Sequence, residues 1–166
     1  MLRDVTAILG DILIDQMDLD TQRVWAFNQG KIQPKDTGLW IVIEYLASKP
    51  IATNKSFSTD ASLNTIETIV TNTEEMYSIH VFSKDNTARQ RKEEVLNALA
   101  STFSVSQQEL NSFKIAKVVQ RINNASYLDG SAILNRFVID TKVLAWYKTT
   151  RIIDYYDRFP ATIITN

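Results

Sequence analysis

The placement of proline and glycine constrains this 166-residue chain more than any other feature. It has three prolines, Pro34, Pro50 and Pro160, and four glycines, and between Pro50 and Pro160 the only glycine is Gly130. Proline removes a backbone N–H and fixes φ, and glycine loosens the backbone, so these two residues punctuate local structure. Their near absence over 51–159 predicts one continuous set of elements without a linker, and thus a single domain over 1–166. A chain of this length buries roughly 70% of its unfolded surface, enough for a substantial core.

Composition narrows the chemistry. The apolar and charged fractions, 45% and 22%, are those of an ordinary globular protein. A net charge of −1 gives no basic excess to argue for nucleic acid or an anionic membrane as partner. Cysteine is absent, which removes disulfides, thiol catalysis and thiolate metal sites. The longest apolar runs, such as Leu39–Ile43 and Val143–Tyr147, are too short to span a bilayer. Met1-Leu2-Arg3-Asp4 leads into a charged periodic helix rather than a signal-peptide core, so the product is expected in the cytoplasm where it is made.

Along the chain, residues 2–17 read as an amphipathic helix with Val5, Ile8, Leu9, Ile12 and Leu13 on one face. Asp11, Asp15 and Asp18 share another face, and at that spacing they read as solvated carboxylates rather than a metal site. Residues 22–28 fit a short strand or a turn of helix. Asn28-Gln29-Gly30 then makes a turn, and a polar linker crosses Pro34. From Gly38 an apolar, β-rich run through Leu46, interrupted at Glu44, has the look of a buried strand. Residues 48–62, with Pro50 and many small polar side chains, read as an exposed excursion, a projecting loop at about 47–60. Leu63–Thr71 and Met76–Ser83 read as a hairpin turning at Asn72-Thr73-Glu74-Glu75.

The best helix follows. Thr87 and Gln90 have capping-box spacing, ahead of Val95, Leu96, Leu99 and Phe103 at helical intervals. Ser106 and Glu109 repeat that spacing before a shorter helical turn. Residues 114–122 are ambiguous between helix and strand, and the β-branched Val118 and Val119 favour strand. Residues 123–130 read as a polar loop, and 134–147 as the longest strand, extended or followed by 151–157. A run of adjacent antiparallel strands with helices inserted reads as α+β, a mixed and mostly antiparallel sheet with its helices on one face.

Reactive groups are sparse. The sole histidine, His80, sits mid-strand with no serine elbow or metal-type spacing around it, and reads as structural. Four scattered glycines make neither a phosphate loop nor a dinucleotide fingerprint. Glu74-Glu75 and Glu93-Glu94 are adjacent pairs whose side chains diverge. Asp140 is the best candidate for a carboxylate meeting others in space, but beside Lys142 it reads as half of a surface ion pair. Lys114, Lys117 and Arg121 form at most a weak basic stripe without stacking aromatics. No catalytic residue, metal ligand or cofactor site is assigned. Association is the stronger signal. Tyr155, Tyr156, Phe159, Ile163 and Ile164 put apolar mass in a C-terminal arm at about 158–166 and just before it. That segment either docks on its own domain or adds a strand to a neighbour. Ile51 and Phe57 are apolar residues in an otherwise polar excursion, which makes them further candidates for an interface.

The wording of several segments resembles the neck or tail terminator proteins, the tail-completion family of long-tailed phages. The N-terminal helix, Asn28-Gln29-Gly30 with Pro34, and Gly38-Leu39-Trp40-Ile41-Val42-Ile43 look like the family's opening. Tyr77-Ser78-Ile79-His80-Val81-Phe82, then Ala88 and Leu96-Asn97-Ala98-Leu99, look like its central strand and helix. Arg136-Phe137-Val138-Ile139-Asp140 leading to Tyr147 looks like its closing strand. The resemblance covers nearly the whole chain as a distributed pattern, without a catalytic signature. It implies a tail-terminator-like α+β fold and a virion protein that closes into a ring, typically six-fold, at the top of the tail tube. There the ring ends tube polymerisation and meets the head-completion or connector protein. The implied partners are further copies of the chain and the tube and sheath proteins, with genomic DNA passing through the lumen unread and no membrane. The implied location is the virion neck, at the head–tail junction, after synthesis in the host cytoplasm. The family has no enzymatic activity and no cofactor. The alternative is another phage or contractile-injection structural subunit of related fold, a head-completion or tube protein.

Overall fold

Runs of β-branched and aromatic residues at period two carry this chain into strands far longer than its helical layer can cover. The computed structural model of the protein describes residues 4–62, 64–130 and 132–153. In chain order it contains α1 (Val5–Gln16), β1 (Val24–Ala26), β2 (Trp40–Thr59), β3 (Thr65–Ser83), α2 (Thr87–Arg91), α3 (Glu94–Ala100), α4 (Thr102–Leu110), β4 (Phe113–Asn124), β5 (Tyr127–Asp129) and β6 (Ala132–Ile153). The sheet runs β1-β2-β3-β6-β4, with β5 paired to the start of β6. Among the described residues only β1 and β2 pair in parallel; every other ladder is antiparallel. The fold is α+β.

The helices gather on one face of the sheet. Val5, Ile8, Leu9, Ile12 and Leu13 of α1 pack with Ile41, Ile43, Ile79, Val81 and Ile139, and Val95, Ala98 and Leu99 of α3 join the same cluster. Alternation places these strand residues together, because Ile43 faces Ile79 and Ile79 faces Ile139 across the ladders. The reverse face holds a smaller apolar cluster, Trp25, Trp40, Val42 and Leu134 with Phe82 against it. Among the described residues no α-helix residue belongs to that cluster, and the 3-10 turn Phe27–Gln29 borders it through Phe27.

Several local expectations change. The excursion at 47–60 is strand, not loop: β2 continues to Thr59, and its residues from Tyr45 onward are all exposed. The turn expected at 72–75 is likewise strand, since Asn72 pairs with both Ala52 and Trp146, and Glu75 with both Ser48 and Val143. Pairing on two sides outweighs the turn preference of single residues. The hairpin turns instead at 60–64, where Asp60 Oδ1 accepts from the N–H groups of Ser62 and Asn64, each at 2.8 Å. Segment 123–130 is also mostly strand, with Gly130 at φ +64° in the turn to β6. The strand chosen for 114–122 and the long closing strand are both present, as β4 and β6. Segment 22–28 combines the two options: Val24–Ala26 form the strand β1, flanked by single 3-10 turns at Thr21–Arg23 and Phe27–Gln29.

Neither capping box forms. The helix expected from Thr87 to Phe103 breaks into α2, α3 and the first turn of α4, and the shorter turn expected after Ser106 is the remainder of α4. Asp85 Oδ1 accepts from Thr87 N–H at 2.8 Å and Ser83 Oγ from Ala88 N–H at 2.9 Å, so residues upstream of the expected box satisfy the first turn of α2. Ser101 caps α4, and Ser106 lies inside it, donating to the Thr102 carbonyl. Caps of this kind contribute about 1 kcal/mol. Asp85→Ala is therefore expected to lower the unfolding free energy by about 1 kcal/mol, whereas Gln90→Ala is near neutral. Denaturant titration checks this; an equal loss in both variants would restore the capping box.

Candidate interaction site

Beyond the helices, β2, β3 and β6 continue as a three-stranded arm. From Ala47 to Thr59 it extends roughly 40 Å at about 3.4 Å per residue. Among the described residues the arm has two free edges. β1 pairs with β2 only over Ile41–Ile43, and β4 pairs with β6 only from Phe137 to Ala145. The outer edges of β2 beyond Glu44 and of β6 from Tyr147 to Ile153 therefore have no strand beside them among the described residues. Unpaired edges are templates for another strand.

No core cluster among the described residues lies beneath the arm, and cross-strand polar contacts hold it. Glu67 takes an ion pair from Lys55 at 2.6 Å and one from Arg151, so the central strand is tied to both neighbours. These bonds hold the Glu67 carboxyl below its usual range. Only 2% of Glu67 is exposed. It is covered by its own neighbours Lys55, Phe57 and Arg151 on the ladders rather than by a protein interior. Nearer the core, Glu75 accepts from the hydroxyls of Tyr77, at 2.6 Å, and Tyr147. Burial and the Glu75 carboxylate raise both phenols, which remain protonated donors.

The residues singled out for an interface divide. Ile51 lies at a register shift of β2, between Pro50 and Ala52, and Phe57 lies near the arm's tip; they are 54% and 60% exposed. Six residues apart on one strand, they stand roughly 20 Å from each other. Lys55 Nζ lies 5.8 Å from the Phe57 ring. Tyr155, Tyr156, Phe159, Ile163 and Ile164, with the C-terminal arm, lie outside the described residues. Of the basic stripe, Arg121 falls in a register break of β4 between Val118 and Ile122. Lys142 pairs with Glu74 at 3.0 Å rather than with Asp140, which accepts from Ser78 Oγ instead.

A second feature lies at the base of the helix-free face. Trp25 of β1, Trp40 and Val42 of β2, His80 and Phe82 of β3, Tyr127 of β5 and Arg136 of β6 line a cleft of about 230 Å³. Trp40 and Phe82 stack with centroids 5.5 Å apart at 8°. Lys31 lies over Trp25 and the Arg136 guanidinium over Phe82, at 5.8 and 5.5 Å. The linker that brings Lys31 here is pinned from both sides. Arg23 binds Asp36 through two bonds, 2.8 and 2.6 Å, and Lys84 Nζ donates to the Pro34 and Lys35 carbonyls. The Arg23 bonds and the Gly38 N–H bring the Asp36 carboxyl down to about 2. None of this cleft was legible as a site, because its residues come from five separated segments.

His80 is wired for structure. Arginine can only donate, so Arg136 Nη2, 3.2 Å from His80 Nδ1, makes that nitrogen the acceptor. Nε2–H then donates to Glu44 at 2.9 Å. Serine, histidine and aspartate stand close together at Ser78, His80 and Asp140, but Ser78 is bonded to Asp140 and the acceptor nitrogen of His80 is engaged by Arg136. That wiring does not deprotonate a serine. Among the described residues no three histidine or carboxylate groups gather to hold a metal.

Burial lowers the His80 pKa, against the hydrogen bond it donates to Glu44, which raises it, with Arg136 lowering it further. In the unfolded chain His80 takes up its proton near its ordinary value of 6.5, while the folded protein resists. Stability therefore falls as pH drops through about 6.5 and keeps falling until the folded pKa is reached. As His80 is the sole histidine, unfolding midpoints measured from pH 7.5 to 5.5 are expected to decline in the wild type and stay nearly flat in His80→Asn. A wild-type profile as flat as the variant's would contradict the buried neutral assignment. No protein-family model matches the sequence, and no curated protein matches it.

Proposed function

We propose that the chain is a structural virion protein of a long-tailed phage, a neck or tail terminator subunit. It forms a ring, with six-fold symmetry as the working expectation, at the top of the tail tube. The ring stops tube polymerisation and joins the tail to the head connector, with tube and sheath proteins and further copies as partners and DNA passing through unread. Its place is the neck of the virion. The observation that carries this reading is the arm: a three-stranded sheet with two edges free among the described residues and exposed apolar residues at Ile51 and Phe57. An arm of that kind is made to be covered, and head-to-tail contacts between identical subunits close into a ring when the rotation fits. The distributed resemblance to the tail-completion family supports the same reading. The site chemistry points to binding rather than catalysis. No helix among the described residues is long and apolar enough to cross a membrane.

The free edges suit a tube subunit too, and imaging of the parent virion separates a single ring at the neck from a stack along the tail. In isolation and with tail tubes, native mass measurement is expected to find a closed species, about 113 kDa for six copies of the 18.9 kDa chain. Ile51→Lys and Phe57→Lys, both at exposed positions, are expected to change stability by less than about 0.5 kcal/mol and to abolish that species. Variants that assembled and capped tubes normally would remove the arm from the contact.

A further inference from the structure

The cleft at the base of the helix-free face has the composition of a receptor for an acidic aromatic segment. Its floor and walls are aromatic: Trp25, Trp40, Phe82 and Tyr127. Its two cations, Lys31 and Arg136, have no carboxylate partner among the described residues; their contacts are Trp25 for one and Phe82 and His80 for the other. Arg136 Nε is buried without an acceptor, and an unsatisfied buried donor costs about 1–3 kcal/mol. A carboxylate is the group such a site lacks, and an aromatic neighbour is what its rings would stack on.

Two carboxylates flanking adjacent aromatic residues, one for each cation, occur once in the chain, as Asp154-Tyr155-Tyr156-Asp157. We infer that this segment of one copy docks in the Trp25–Arg136 cleft of a neighbouring copy, with Asp154 and Asp157 answering Lys31 and Arg136. Reach excludes the same chain. Ile153 ends β6 opposite Thr65 at the tip of the arm, while the cleft sits where Val138 faces His80. That is fifteen residues of β6 away, roughly 50 Å at about 3.4 Å per residue. Four further residues span at most about 14 Å. The segment therefore reaches a cleft only on another molecule, and repetition of that contact links tip to base around a closed ring. The inference rests on the ring reading for its geometry and names the receiving site.

Full-length charge-reversal variants test it. Asp154→Lys with Asp157→Lys reverses the segment, and Lys31→Glu, at an exposed position, reverses the cleft without disturbing the half-buried Arg136. Each alone is expected to raise the midpoint concentration of assembly at least tenfold. Mixing the two is expected to restore assembly, because each then offers the other a matching contact. Independently, a labelled peptide of residues 152–160 is expected to bind the wild type, with a change in tryptophan emission from Trp25 and Trp40, and to bind Lys31→Glu at least tenfold more weakly. Variants that assemble like the wild type, or a peptide that binds both proteins equally or neither, would overturn the assignment while leaving the ring intact. A wild type that stays monomeric even on tail tubes would overturn the ring instead, and the peptide would still decide the cleft.

Discussion

The structure depends on the double pairing of β3. From Thr65 to Ser83 this strand is laddered to β2 on one side and β6 on the other. Both sets of backbone groups along the central strand are thereby satisfied for its whole length, whether or not a helix lies above it. The hydrophobic core needs only the half near Tyr77–Val81, where α1 and α3 pack. The other half persists because the ladder is cooperative, because Glu67 binds Lys55 of β2 and Arg151 of β6, and because Glu75 joins Tyr77 of its own strand to Tyr147 of β6. A long arm is thus the consequence of a core and a ladder of unequal length.

That inequality also separates the two faces chemically. On the helical side, burial is apolar and nearly complete. On the reverse side, Trp40, Phe82 and Val42 adjoin His80, Arg136 and Glu44, so the sheet there presents aromatic area and charge together. His80 holds Glu44 and Arg136 at fixed positions by filling both of its ring nitrogens. Its role is to orient the cleft's cation, and a buried neutral imidazole does so only while it remains unprotonated.

The elements were legible where periodicity was strong: α1, the Leu39–Ile43 run and the closing strand at 134–147 all lie where the pattern puts them. Errors fell where local preference met a long ladder. Asn72-Thr73-Glu74-Glu75 has turn-prone chemistry, yet it is strand because β2 and β6 both pair with it. Pro50 and the Asn/Ser/Thr content of 48–59 suggested a loop, yet an edge strand tolerates proline at a register shift, which is where Pro50 sits. The arm's exposure was visible in that polarity, and Ile51 and Phe57 stood out against it. The cleft was not visible, since Trp25, Lys31, Trp40, His80, Tyr127 and Arg136 are brought together only by the strand order.

On the proposed reading, the arm stands open in the free chain and is covered in the assembly. Hydrogen–deuterium exchange of the free protein and of the tube-bound protein measures this directly. In the free protein, amides of the central strand over Thr65–Met76 should be protected, while the outward-facing amides of β2 over Ala47–Thr59 exchange quickly. On assembly the β2 amides should become protected as well. An exchange pattern over the arm that is the same in both states would contradict the account.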